Sequence, residues 1–165
     1  MRSWLLTPIL LGSLSAASAC HDHDPHCHGG GRCDLECGDG CAPFCERVDD
    51  CDVLCGDACN YACTSSDNCD VECDDDCEVL CESTSTCHAS CGDNCDYECN
   101  SVNDCAPHLG PDSQVRCVSV GNCNPTCHGP CLVECISTGN CNVHCERGRP
   151  TDCGNGVFAC DQPCA

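Results

Sequence analysis

Between residues 33 and 153 the cysteines recur as C-x3-C-x3-C-x3-C, five residues follow, and the set begins again, so the period is 18 residues. Cys33, Cys37, Cys41 and Cys45 form the first set, followed by Cys51, Cys55, Cys59 and Cys63. Cys69, Cys73, Cys77 and Cys81 form the third, and Cys87, Cys91, Cys95 and Cys99 the fourth. Cys105 and Cys117 keep only the outer places; Cys123, Cys127, Cys131 and Cys135 are complete; Cys141, Cys145 and Cys153 lack the third place, which is Arg149. A fixed period of this length marks a repeat architecture. A unit this short buries nothing alone and must stack on its neighbours.

Each unit has two arms, such as Cys51-Asp-Val-Leu-Cys55 and Cys95-Asp-Tyr-Glu-Cys99. Cysteines end the arm and an apolar residue sits at its centre: Leu35, Val53, Tyr61, Val71, Val79, Tyr97 or Val133. Every second side chain shares one face of a strand, so cysteine, apolar residue and cysteine point the same way. In a helix the central residue would point roughly 200° away from the cysteine two places before it. The links between arms, such as Gly38-Asp39-Gly40 and Gly92-Asp93-Asn94, are turn residues. The expected fold is all-β, a small disulfide-stapled β-solenoid of about seven circuits, each built as strand, tight turn, strand, wide turn. A string of disulfide-linked hairpins and short helical hairpins are the alternatives.

Cysteine supplies 29 of 165 residues, against two Phe, two Tyr and a single Trp. Such density belongs to oxidising compartments, where disulfides replace a hydrophobic core. Lysine is absent and the formal charge is −21, which excludes a phosphate backbone as partner and disfavours anionic lipid. Cations, basic partners and plain solvation remain.

Four segments are expected. Residues 1–19 read as a signal peptide: Met1-Arg2 is basic, Trp4 to Leu14 mostly apolar, and Ala17-Ser18-Ala19 offers a small-residue cleavage site. Residues 20–32 are a flexible His/Asp/Gly-rich start, residues 33–153 the solenoid, and residues 154–165 a C-terminal cap. No later apolar run is long enough to span a membrane as a helix. Ala-Ser-Ala-Cys resembles the bacterial lipoprotein cleavage box, with Ala17 where that box usually has Leu. The resemblance implies a lipid on Cys20 and attachment to a cell surface. Parity agrees, because 28 cysteines remain once Cys20 is set aside. Ordinary secretion is the alternative.

The unit that lost cysteines speaks to pairing. Its inner places are Leu109 and Ser113, and both changed together while Cys105 and Cys117 stayed. That pattern predicts first-to-fourth and second-to-third bonds within one unit: Cys33–Cys45 with Cys37–Cys41, Cys51–Cys63 with Cys55–Cys59, Cys69–Cys81 with Cys73–Cys77, and Cys87–Cys99 with Cys91–Cys95. It continues with Cys105–Cys117, Cys123–Cys135 with Cys127–Cys131, and Cys141–Cys153. Pairing between successive circuits is the rival. Cys145 would close the stack by bridging to Cys160 or Cys164 while Phe158 covers the last apolar layer. Cys27 either binds metal with nearby histidines or pairs near the N-terminus.

No C-x2-C pair, Gly-rich phosphate loop, nucleophile elbow or HExxH occurs, so no catalysis is expected. His21, His23, His26 and His28 crowd into eight positions, a candidate Zn or Cu tract. Asp49, Asp50, Asp57, Asp67, Asp74, Asp75, Asp76, Asp93 and Asp104 gather in turns, the oxygen chemistry that Ca prefers. A solvated acidic face and idle histidines are the plainer accounts. The construction is similar to the disulfide-stapled solenoids of insect antifreeze proteins, but their T-x-T rows are represented only by Thr84 and Thr86. The function expected is a rigid, secreted or surface-tethered module with a structural or interaction role toward a protein or surface partner. An extracellular metal binder is the alternative.

Overall fold

The computed structural model describes residues 25–164. The chain winds as a flattened β-solenoid of about seven turns whose strands alternate between two sheets. One sheet holds β1 (His26–His28), β3 (Phe44–Glu46), β5 (Asn60–Thr64), β7 (Glu78–Glu82), β9 (Asp96–Asn100), β11 (Ser113–Val118) and β14 (Cys131–Ile136), all parallel. The antiparallel strands β17 (Thr151–Gly154) and β18 (Val157–Cys160) close its far end. The other sheet stacks β2 (Arg32–Glu36), β4 (Asp50–Leu54), β6 (Asn68–Cys73), β8 (Thr86–Cys91) and β10 (Asp104–Leu109) in the same parallel sense. It ends in the short pieces β12 (Asn122–Cys123), β13 (Thr126–Cys127), β15 (Asn140–Cys141) and β16 (His144–Cys145). The ladder thus begins at His26, within the segment expected to be flexible, and the cap begins at Thr151.

Along the parallel ladders each residue pairs with the one 18 places on, so like stacks on like. Leu35, Val53, Val71, Ala89 and Pro107 form one inward column. Tyr61, Val79, Tyr97, Val115, Val133 and Phe158 form the facing one. Cysteines flank both columns, and nearly all of these side chains are buried. The Tyr61 hydroxyl donates to Cys51 Sγ at 3.4 Å. The Tyr97 hydroxyl meets Cys87 Sγ at 2.7 Å, and as Cys87 is in a disulfide the hydroxyl is the donor.

The N–H groups of residues whose side chains face inward reach forward to the next circuit, as Cys37 does to the Leu54 carbonyl and Cys55 to the Glu72 carbonyl, each at 2.8 Å. Pro107 and Pro125 are buried at equivalent inward positions and have no N–H to give. By the same register they would have reached Asn124 and Asn142. At those residues the strand breaks, separating β12 from β13 and β15 from β16.

The wide turns are held by a polar column. Asn68 Nδ2 donates to Asp50 Oδ1 at 2.7 Å, Thr86 Oγ1 to Asn68 Oδ1 at 2.6 Å, and Asn140 Nδ2 to Asn122 Oδ1 at 2.9 Å. Each wide turn passes through the left-handed region at one recurring place, from Arg47 (φ 57°) through Ser65 and Ser83 to Ser137 (φ 55°).

The disulfides correct the expected outer pairing. Within the described residues the fourth cysteine of one circuit bonds the first of the next, across the wide turn. The bonds are Cys27–Cys33, Cys45–Cys51, Cys63–Cys69, Cys81–Cys87, Cys99–Cys105, Cys117–Cys123 and Cys135–Cys141. They replace Cys33–Cys45, Cys51–Cys63, Cys69–Cys81, Cys87–Cys99, Cys105–Cys117, Cys123–Cys135 and Cys141–Cys153. The two choices differ by one step along a single sulfur column: Cys105 and Cys117 Sγ lie only 3.8 Å apart, yet each bonds outward instead. Five residues of wide turn bring the bonded Cα atoms to 6.3–6.5 Å, inside disulfide reach. Loss of the inner pair at Leu109 and Ser113 therefore carries no information about the outer cysteines. Cys27 pairs with Cys33, Cys145 with Cys160, and Cys153 with Cys164.

Two outcomes follow from this interior. Reducing the chain in dithiothreitol should abolish the β-sheet signal in far-UV circular dichroism, because a low-hydrophobicity, strongly acidic chain is disordered without cross-links; retention of that signal would contradict the cystine core. Burial pushes both tyrosines well above the ordinary phenol range. Absorbance at 295 nm should therefore stay flat through about pH 10, the unperturbed tyrosine value. Because the folded-state pKa is raised, this contribution to stability is complete below about pH 10 and is lost as pH rises above it.

Candidate functional site

The tight turns make one edge of the solenoid chemically distinct. Their middle residues Asp39, Asp57, Asp75 and Asp93 stack. Asp39 Oδ1 accepts the Asp57 N–H at 3.1 Å, Asp57 Oδ1 that of Asp75 at 3.1 Å, and Asp75 Oδ1 that of Asp93 at 2.8 Å. A row of carboxylates that would repel itself is thereby tied to a row of amides. Gly56 makes room for this: a Cβ there would sit 2.9 Å from the Asp39 nitrogen and on the Asp39 carboxylate. The recurrence of aspartate at one place in the frame was the available signal for this ladder.

Just inside the aspartates lie eight cysteine thiols in two columns. Cys37 and Cys55 directly follow β2 and β4, and Cys73 and Cys91 end β6 and β8; Cys59, Cys77 and Cys95 directly precede β5, β7 and β9, and Cys41 lies between β2 and β3. The inner bonds expected among them are not formed in the structure; at the corresponding place further on, Cys127 is bonded to Cys131. Cys41 and Cys59 Sγ are 3.2 Å apart. The thiols of the second column hydrogen-bond turn carbonyls, Cys59 to Gly38 at 3.2 Å and Cys77 to Gly56 at 3.3 Å. Burial raises the Cys37 thiol to about 11 and pushes Cys41 and Cys77 up as well. For Cys55 the hydrogen bond with Cys73 acts first and burial second, again upward. Seven of the eight are buried, and only Cys37 is partly open to solvent.

Among the described residues, the groups of three metal-ligand atoms lying within 4.8 Å of one another consist of cysteine alone. Cys37, Cys41 and Cys55 are the group made of free thiols; the other groups contain disulfide sulfurs. The free-thiol group is close enough to hold a soft metal ion. His21, His23 and Cys20 fall outside the described residues. His26 and His28 lie on one face of β1, their ring centroids 6.2 Å apart, and both pack edge-on against Phe44 at 5.9 Å. His28 Nδ1 also pairs with Glu46 at 3.1 Å. Elsewhere His88 pairs with Asp70 at 3.3 Å, and His108 stacks on His128 at 6.0 Å. Of the turn aspartates, Asp49 accepts the Gly31 N–H at 3.1 Å, and Asp50, Asp57 and Asp75 are engaged in the ladders described above. No family model matches the chain, and no curated protein or solved structure matches it either.

Asp75→Ala should remove the acceptor of the Asp93 amide and lower Tm by about 2–4 °C, the scale of one hydrogen bond in a domain of this size, whereas Asp75→Asn retains an acceptor and much of the stability. In protein whose tight-turn cysteines are thiols, iodoacetamide labelling of Cys37 should keep rising to about pH 11. A plateau near pH 8.5, the unperturbed value, would show that burial does not hold back its ionisation.

Proposed function

We propose that this protein is a secreted or surface-tethered rigid module with a structural or interaction role and no catalytic activity. The single observation that carries the proposal is the cystine column, which crosses the interior at each circuit from Cys27–Cys33 to Cys135–Cys141. Disulfides in this number persist in oxidising compartments, which favours export by the leader at residues 1–19. Nine strands at about 4.8 Å spacing make a stiff body about 40 Å long. Its outer faces carry Asp34, Asp52, Asp70 and Glu72 on one side and Glu78, Asp96, Glu98 and Glu134 on the other, so a basic protein or surface patch suits it better than nucleic acid or anionic lipid. A lipid on Cys20 would fix one end of the rod to a membrane.

A second function is favoured by one specific observation, the thiol trio Cys37, Cys41 and Cys55. There the chain would be an extracellular binder of a soft cation such as Cu(I) or Zn, with His26 and His28 as a separate imidazole pair. The acidic turns would suit Ca, although Asp39, Asp57 and Asp75 already accept amide hydrogens.

The intact mass of native protein, followed by metal analysis of the same sample, tests both. The scaffold function requires a mature chain starting at Cys20, free or carrying a diacylglycerol-sized increment, with no stoichiometric metal and with slow proteolysis until reductant is added. Stoichiometric Cu or Zn that raises Tm would favour the second function.

A further inference from the structure

We infer that the four tight turns flanked by free cysteines are oxidation sites, each closing one further disulfide: Cys37–Cys41, Cys55–Cys59, Cys73–Cys77 and Cys91–Cys95. Three features of the fold carry this. Cys127 and Cys131 occupy the corresponding second and third places two circuits beyond Cys91 and Cys95 and are bonded, with Cα atoms 6.1 Å apart. Where the second place is Leu109 the third is Ser113, so neither half is left alone. The Ser113 hydroxyl reaches the Gly92 carbonyl at 3.5 Å and the Pro111 carbonyl at 3.3 Å, the counterparts of the carbonyls that Cys77 reaches at Gly56 and Asp75. The third feature is the cap. Arg149 has replaced the third cysteine opposite Cys145, and β18 swings back antiparallel to deliver Cys160 as its partner, with Cα atoms 5.5 Å apart. A second-place cysteine in this fold has a cysteine across the turn in every circuit, even where the repeat had lost it.

The reaction is thiol–disulfide exchange with a disulfide donor, either oxidised glutathione or a disulfide-bearing oxidoreductase. The Cys37 thiolate attacks the donor disulfide, forming a mixed disulfide and expelling one donor thiolate. The Cys41 thiolate then attacks the Cys37 sulfur and expels the other. Two electrons pass from the turn to the donor, two protein protons pass to the two departing donor thiolates, and four turns transfer eight electrons. Cys37 is the partly exposed member, so in the folded chain its turn meets the donor, whereas the buried turns close before their circuits are covered. A disulfide is uncharged. A metal–thiolate cluster would add buried anionic groups to a chain of formal charge −21, a burden that desolvation makes heavier.

The inference rests on export to an oxidising compartment, and the test separates the two. Native full-length protein is denatured, alkylated without reduction and cut before aspartate. Residues 34–38, 52–56, 70–73 and 93–95 are then peptides that each carry one tight-turn cysteine, Cys37, Cys55, Cys73 and Cys95 in turn. Closed turns keep 34–38 on 39–48, 52–56 on 57–66, and both 70–73 and 93–95 on 76–92, with no alkylated cysteine in them. If these peptides leave singly alkylated, the protein is incubated with oxidised glutathione and the digest repeated. Joining only after glutathione upholds the pairing and counts against the oxidising compartment. Peptide 34–38, from the turn that the donor reaches, still free after glutathione, or 39–48 joined directly to 57–66 through Cys41–Cys59, would overturn the pairing.

Discussion

The fold depends on a bond that crosses a turn. Each wide turn carries the chain from one sheet to the other, and the cystine beneath it fixes how far apart those sheets stand. Its Cα atoms lie 6.3–6.5 Å apart, where stacked sheets otherwise stand about 10 Å apart. That leaves a slot with room for cysteine, valine, alanine, proline and a few larger side chains such as Tyr61, Tyr97 and Leu109. The scarcity of large apolar residues follows from this thinness. A thicker interior would need large apolar side chains at positions that here hold mostly cysteine, valine and alanine.

The polar ladders depend on the same constraint. Once every circuit is clamped at one step, residues 18 apart lie in register, and a side chain reaches the same atom on every neighbour. Asn68 and Thr86 at the wide turn, and Asp57 and Asp75 at the tight one, each reach into an adjacent circuit. The tight-turn aspartates thereby satisfy backbone N–H groups that would otherwise face only water. The acidic character of the chain is therefore partly structural, and the remaining carboxylates on the sheet faces supply solvation.

Much of this was legible in the spacing of the cysteines. Strand against helix could be decided from Val53 and Tyr97, because only a strand puts them on the same face as their flanking cysteines. The outer connectivity was not legible, because Cys105 stands close both to Cys117 and to Cys99, and spacing along the chain does not reveal which way a sulfur column is divided into pairs. Composition alone reads the segment around Cys27 as flexible, and only the strand His26–His28 shows that Cys27 stands one circuit before Cys45 and pairs with Cys33 as the other fourth-place cysteines do. The prolines were also silent: the consequence of Pro107 appears one circuit later, at Asn124, and only the register connects the two. At the candidate site, cysteine content identified the chemistry, whereas the proximity of Cys37, Cys41 and Cys55 needed the turn geometry. The histidine tract divides at the limit of the described residues, with His26 and His28 on a strand and His21 and His23 beyond it.

The claim on which all of this stands is that successive circuits are joined across the wide turns. It is tested most directly by finding the partner of Cys69 in the unreduced protein. After cleavage before aspartate, Cys69 is the sole cysteine of the peptide 67–69. The structure requires that peptide to be bound to residues 57–66 through Cys63. Its recovery on the peptide that contains Cys81 would mean that the bonds close within a circuit, and the clamp between successive circuits would not exist.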